Sequence, residues 1–224
     1  MAKITIVGVG PGSPDYVTPI ARKTVQNSEF VVGAERVLSL FKSDIKGEAL
    51  KLTAKNLNET MLRCIDYAEK GKRVTLLSTG DPGFAGLLQT FRNATKTKKI
   101  EINVIPGVSS LQVCAAKLAM SWEEVSLFSF HNGTSLEKKK QLLAAVLNGK
   151  DVVLLPNPKV FVPSDVANFL IDRGVDDDTP AVVCENLTLS NEKVKNSTLK
   201  DVSGKSFDSL CVMVIRPNSK QNKL

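Results

Sequence analysis

The sequence predicts an α/β protein of two lobes, with a cleft between them. Three observations predict it. Short β-branched runs alternate with helical patterns along the chain, the signature of a mainly parallel sheet. The length of 224 residues, with 42% hydrophobic and 24% charged, is enough to bury a core in one large domain or two compact ones. A weak seam near Ala119–Ser121 divides two βα series. Residues 1–120 are therefore expected to form an N-terminal lobe, 121–217 a C-terminal lobe, and 218–224 a polar tail.

In order, Ile4–Val9 is a strand ending in a Gly/Pro turn. Thr18 to Asn27 is a helix, capped by Thr18 with Pro19 in its first turn. Phe30–Gly33 is a second strand and Ala34–Phe41 a helix. From Asn58 to Gly71, Met61, Leu62, Ile65 and Ala68 repeat at helical spacing. Arg73–Ser78 is a strand, Gly83–Ala94 a helix, Ile100–Ile105 a strand and Ser109–Leu118 a helix. The second series runs strand Val125–Phe130, helix Leu136–Leu147, strand Val152–Leu155 and helix Pro163–Asp172, with Ser164 or Asp165 near its cap. Ala181–Glu185 and Leu210–Ile215 are further strands. Leu189–Lys205, rich in Asn, Ser and Lys, reads as exposed hairpin or loop.

Composition excludes several chemistries. Cys64, Cys114, Cys184 and Cys211 contain no Cys-x-x-Cys pair, so a zinc ribbon and a thioredoxin-like pair are excluded; core packing is their expected role. His131 is the one histidine, which removes His-x-x-x-His metal sites, and no metal is expected. Gly-x-Ser-x-Gly is absent. No apolar run approaches the roughly 20 residues that span a bilayer, and the first residues lack a signal-peptide pattern. A cytoplasmic protein is expected, in which five Asn-x-Ser/Thr triplets carry no glycosylation message. Thirty basic against 23 acidic residues give a net charge of +7, which favours an anionic partner. The lysines fall in surface-like turns and helix faces without interleaved aromatics, which argues against a dedicated nucleic-acid patch.

Three loops that follow strands carry the remaining signal, because ligands bind at strand ends in open α/β sheets. Gly8-Val9-Gly10-Pro11-Gly12-Ser13 departs from the dinucleotide fingerprint at Ser13, and Pro11 removes an N–H from any phosphate cradle. Ser78-Thr79-Gly80-Asp81-Pro82-Gly83-Phe84 combines glycines, a hydroxyl, a carboxylate and an aromatic ring, a mixture suited to a small polar cofactor with an aromatic ring. Pro106-Gly107-Val108-Ser109-Ser110 presents two hydroxyls at a helix start, one of which capping explains. Taken singly, each is also explained as a tight turn.

The succession VGVGPGSPDYVT, STGDPGFAG and VIPGVSSLQVCAAKL, with PAVVCENLT at 180–188, resembles the tetrapyrrole methylase family over nearly the whole chain. That family consists of class III S-adenosylmethionine-dependent methyltransferases of two α/β domains. VVGAERVLSLF at 31–41, GDPGF at 80–84 and the segment 108–133 resemble most the branch that methylates C5 of a corrinoid precursor in cobalamin synthesis. At His131-Asn132-Gly133 the chain departs from the family's usual His-Gly.

The resemblance implies methyl transfer from S-adenosylmethionine to a meso carbon of an anionic corrinoid, for which in-line placement matters more than acid or base groups. It places the donor in the cleft against Ser78, Gly80, Asp81, Phe84, Ser109 and Ser110, flanked by Leu155 and Ala181 of the second lobe. Gly10, Pro11, Gly12 and Asp15 are expected to face the tetrapyrrole. Asp15, Asp81 and His131 are the candidates for removing the meso-carbon proton; for Asp81 the alternative is fixing its turn through backbone N–H groups. The chain ends shortly after Arg216-Pro217, so C5 methylation alone is expected, with a separate partner carrying out C15 methylation and decarboxylation. A homodimer is implied by the resemblance as well. Other readings are methylation of another corrin carbon or of uroporphyrinogen, diphthine synthesis, RNA ribose methylation, and a cofactor-binding regulator without turnover.

Overall fold

A computed structural model describes residues 2–217, so the expected polar tail at 218–224 lies outside the described residues. The chain divides into two compact units, Met1–Ser109 and Ser110–Leu224.

The first unit is built on strands β1 (Ala2–Gly8), β2 (Phe30–Gly33), β3 (Glu48–Lys51), β4 (Val74–Ser78) and β5 (Ile100–Ile105). They form one sheet in the order β3-β2-β4-β1-β5, every neighbouring pair parallel. Side chains alternate across β1, so it is buried on both faces. Ile4 and Ile6 join Val32, Val74 and Leu76 beneath helices α3 (Leu57–Glu69) and α4 (Leu87–Ala94), which contribute Met61, Cys64, Ile65 and Phe91. Val7 and Val9 join Val31, Leu77 and Ile105 beneath α1 (Pro19–Gln26) and α2 (Glu35–Leu40), which contribute Ala21, Val25 and Val37. The Thr18 cap forms as its sequence predicts, its hydroxyl accepting the Ala21 N–H at 3.3 Å, with Pro19 at the first helical position.

Strand order positions the loops. β1 lies between β4 and β5, so the three glycine-bearing loops, far apart in sequence, leave adjacent strand ends on the same side of the sheet. The helix expected from Gly83 begins at Leu87. Ala85 has φ 56°, a left-handed value that interrupts a right-handed helix. β3 was not anticipated: its sequence, Glu-Ala-Leu-Lys, is mostly exposed at a sheet edge and lacks a β-branched run.

The second unit carries β6 (Ser126–Ser129), β7 (Val152–Leu155), β8 (Pro180–Glu185), β9 (Lys193–Thr198) and β10 (Cys211–Ile215), in the order β6-β7-β10-β8-β9. Here the expectation of a mainly parallel sheet fails. Only β6 and β7 pair in parallel; β10 runs antiparallel to both β7 and β8, and β9 antiparallel to β8. One face packs on α6 (Leu136–Leu147), α7 (Pro163–Ile171) and α8 (Leu199–Ser203) through Leu142, Val166, Leu170, Leu199 and Val202. α5 (Ser110–Lys117) meets the same sheet through Cys114, whose Sγ lies 3.3 Å from Cys184 on β8. The helix read as closing the first series thus groups with the second unit, and the division falls after Ser109.

α7 starts at Pro163 as expected, with Asp165 near its cap: the carboxylate accepts the Val162 N–H at 3.1 Å. One local expectation needs correction. Within the segment read as exposed hairpin or loop, β9 does form a hairpin arm with β8, but Leu199 and Val202 are fully buried on α8. Thr198 caps that short helix by accepting the Asp201 N–H at 3.3 Å.

Candidate functional site

In the first unit, the loops after β1, β4 and β5 touch backbone to backbone. The Val9 N–H donates to the Ser78 carbonyl at 3.0 Å, and the Gly80 N–H to the Gly10 carbonyl at 2.8 Å. A Cβ at Gly8 would lie 2.7 Å from the Gly80 oxygen, and one at Gly107 would lie 2.7 Å from the Gly8 Cα. Neither position admits a side chain. Gly80 differs: it has φ 67°, which favours glycine, and the nearest atom to an added Cβ is the Ser109 Cα at 3.8 Å.

Asp81 links two of these loops. Its Oδ1 accepts the Gly83 N–H at 2.8 Å within its own turn, and its Oδ2 accepts the Gly107 N–H at 3.1 Å from the loop after β5. Ser78 is buried, and its Oγ accepts the Leu87 N–H at 3.1 Å, at the start of α4. Gly86 makes that approach possible, since a Cβ there would come 2.7 Å from the Ser78 Oγ. Phe84 and Ser110 are half-buried, Thr79 is exposed, and Ser109 is buried. Each Asp81 oxygen retains lone-pair capacity after these bonds, because a carboxylate offers about four acceptor positions.

Beside them, Gly10 has φ 82° and Pro11 and Gly12 are buried. Asp15 is exposed on the short 3-10 turn Pro14–Tyr16, where its carboxylate accepts the Ser13 hydroxyl at 3.1 Å. One residue of this neighbourhood was missed in the sequence. Arg36 of α2 directs Nη1 to the Pro11 carbonyl at 3.4 Å. Its signal was present in the Val31–Phe41 segment, but nothing in that segment says that α2 folds back on the β1 loop.

The remaining candidates belong to the second unit. His131 is exposed after β6; its N–H donates to the Ser129 Oγ at 3.3 Å and its carbonyl accepts from the Asn157 side chain at 3.5 Å. Leu155 is half-buried at the C-terminal end of β7. Ala181 lies at the other end of that sheet. Both Val152, which begins β7, and Ala181 pair with Ile215, and Ala181 is 1% exposed within the core. The strand end level with Leu155 instead leads into Asn186 (φ 51°) and Thr188 (φ 70°), two left-handed residues. For a β-branched threonine this conformation is costly. The Thr188 N–H donates to the Glu192 carboxylate at 2.7 Å, and Glu192 pairs with Lys117 at 2.6 Å.

The cysteines are unbridged. Burial pushes the Cys64 and Cys211 thiols up to about 12, and the Cys184 contact together with burial raises Cys114. Neutral thiols make poor nucleophiles.

A profile of the Tetrapyrrole (Corrin/Porphyrin) Methylases matches residues 3–203. A probable cobalt-precorrin-7 C(5)-methyltransferase of Methanocaldococcus jannaschii is 39% identical over 211 residues, covering 94% of this chain and 96% of that protein. Among solved structures, a cobalt precorrin-4 methyltransferase of cobalamin biosynthesis superposes with TM-score 0.81 at 24% identity, covering 96% of this chain and 94% of the other. A uroporphyrin-III C-methyltransferase of Thermus thermophilus, complexed with S-adenosyl homocysteine, gives TM-score 0.73 at 20% identity, covering 96% and 92%.

Proposed function

Because the chain belongs to the tetrapyrrole (corrin/porphyrin) methylase family, we propose that it transfers the methyl group of S-adenosylmethionine to C5 of cobalt-precorrin-7. The observation that carries this reading is the likeness to the Methanocaldococcus protein, which extends over nearly the full length of both chains.

The reaction breaks the bond from sulfonium to methyl, forms a bond from methyl to C5 and releases the C5 proton. A sulfonium is already a good leaving group, so the protein's main contribution is to hold donor and acceptor in line. The junction of Gly8, Gly80 and Gly107 supports that role, since loops locked backbone to backbone have little freedom to drift. In this reading Ser78, Gly80, Asp81, Phe84, Ser109 and Ser110 hold the donor, and Gly10, Pro11, Gly12 and Asp15 face the corrinoid. Asp81, with both oxygens holding backbone N–H groups, is a positioning residue. Asp15, exposed on its turn, is the group we assign to take the C5 proton. Asp15→Asn should then lower kcat by about 100-fold or more while leaving the Kd for S-adenosylmethionine unchanged; an unchanged kcat would remove Asp15 from the reaction.

Like the Methanocaldococcus protein, which is named for the C5 methylation alone, this chain would leave C15 methylation and decarboxylation to a separate partner. Homodimer formation is supported by β5, which ends the first sheet as an edge strand with Val104 exposed. A cytoplasmic location is supported by the unbridged cysteines. Among the described residues no helix is long and apolar enough to cross a membrane. Calorimetric titration with S-adenosylmethionine, followed by mass spectrometry after incubation with cobalt-precorrin-7, tests the reading. A single added methyl supports it. Donor binding without corrinoid methylation would move the substrate elsewhere in the family, and absence of donor binding would overturn the reading.

A further inference from the structure

We propose that Arg36 binds a peripheral carboxylate of the macrocycle, fixing the corrinoid against the Gly10–Gly12 loop; this rests on the corrinoid reading above. Three of the first unit's five arginines hold a carboxylate: Arg22 meets Asp44 at 2.7 Å, Arg63 meets Glu48 at 2.9 Å, and Arg73 meets Glu29 at 3.4 Å. Arg36 and Arg92 do not: among the described residues no Asp or Glu lies within 4.0 Å of either guanidinium, and of these two it is Arg36 that contacts the β1 loop. Its neighbour Glu35 is taken by Lys51 at 2.7 Å.

What Arg36 does meet is the Pro11 carbonyl, at the long distance of 3.4 Å. A guanidinium has five N–H donors in a planar fork, and one weak bond to a neutral oxygen uses little of that capacity. Partial loss of water lowers the pKa of Arg36 from its ordinary value, and no carboxylate offsets that cost. Yet the residue is exposed, so an incoming anion can reach it. A partly desolvated cation without an internal counter-ion is completed by an external one, and a carboxylate matches the fork in two parallel bonds.

Position points the same way. Arg36 is held by α2, whose Val37 is buried in the same cluster as Val7 and Val9 of the β1 segment. Helix and loop are therefore fixed together, and the contact with Pro11 places the guanidinium at the loop expected to face the tetrapyrrole. Acetate and propionate side chains project from the rim of a corrinoid, which is the geometry a cation beside the ring face would meet. Orientation of an unsymmetrical macrocycle also draws on such rim contacts, because they select which meso carbon meets the donor.

The test compares the wild-type protein with Arg36→Ala and Arg36→Lys, using cobyrinic acid and its fully methyl-esterified form as binding probes and cobalt-precorrin-7 as substrate. Arg36→Ala should weaken binding of the free acid by roughly 10- to 100-fold, the scale of a hydrogen bond to a charged group. Ester binding, the Kd for S-adenosylmethionine and the melting temperature should not change. Arg36→Lys, which keeps the charge without the fork, should recover part of the loss. With cobalt-precorrin-7 the alanine variant should raise KM more than it lowers kcat. Equal binding of the acid by wild type and Arg36→Ala, or equal loss for acid and ester, would overturn the proposal. Failure of the wild-type protein to methylate any corrinoid would overturn the underlying reading as well, and is distinguished by being independent of Arg36.

Discussion

Asp81 decides how much of the site is chemistry and how much is architecture. Its two oxygens each accept a backbone N–H, one from its own turn and one from the loop after β5. Asp81→Asn keeps the shape but turns one of the two acceptors into a donor, which then faces an N–H. The expected cost is about 1–3 kcal/mol of stability, with weaker binding of S-adenosylmethionine, read by thermal melting and calorimetry. A variant as stable as wild type that fails only in turnover would restore Asp81 as a proton acceptor. Cys64 gives a second prediction at this scale. Its folded thiol is raised to about 12 from an ordinary value near 9, so ionisation is resisted in the fold and permitted in the unfolded chain. Stability from this group is complete below pH 9 and is lost as pH rises towards 12. Over that window wild type should lose stability more steeply than Cys64→Ala, by up to about 1.4 kcal/mol per pH unit, measured by urea unfolding at a series of pH values. Equal slopes would contradict the assignment.

At the scale of elements, α8 separates an exposed loop from a core helix. Leu199 and Val202 are fully buried against α7 and the second sheet. Leu199→Ala should therefore cost about 2–5 kcal/mol, whereas a solvent-exposed loop leucine would change stability by about 0.5 kcal/mol or less; denaturant unfolding distinguishes the two. The sequence was misleading here because two buried side chains directly after a Lys- and Asn-rich strand are too few to define a helical period. Elsewhere the pattern was legible. Phe30–Gly33, Ile100–Ile105, Leu136–Leu147 and Val152–Leu155 form over the ranges their apolar spacing predicts. Strand direction was not legible in the second unit, since β10 and β8 are apolar runs that read alike in either orientation. For the site, the glycine loops could be picked out because they interrupt strand-to-helix connections. Their mutual contact, and the return of Arg36 to Pro11, depend on strand order, which local sequence does not encode.

Taken as a whole, the molecule builds its buried clusters on two sheets and sets its three glycine loops at strand ends. The first unit buries both faces of a parallel sheet, and that rigidity is what lets three short loops meet without long side chains between them. With one histidine, and with the Cys64 and Cys211 thiols held neutral by burial, little acid–base or nucleophilic chemistry is available. A reaction governed by placement suits such a chain, and a net charge of +7 favours an anionic partner within a Debye length of about 8–10 Å. If placement governs the reaction, one methyl goes to one carbon. The most direct test is incubation of the protein with S-adenosylmethionine bearing an isotopically labelled methyl group and cobalt-precorrin-7, followed by NMR of the product. A single labelled methyl on C5 with no release of carbon dioxide is expected. Label on any other ring carbon, or loss of a carboxyl group, would contradict it.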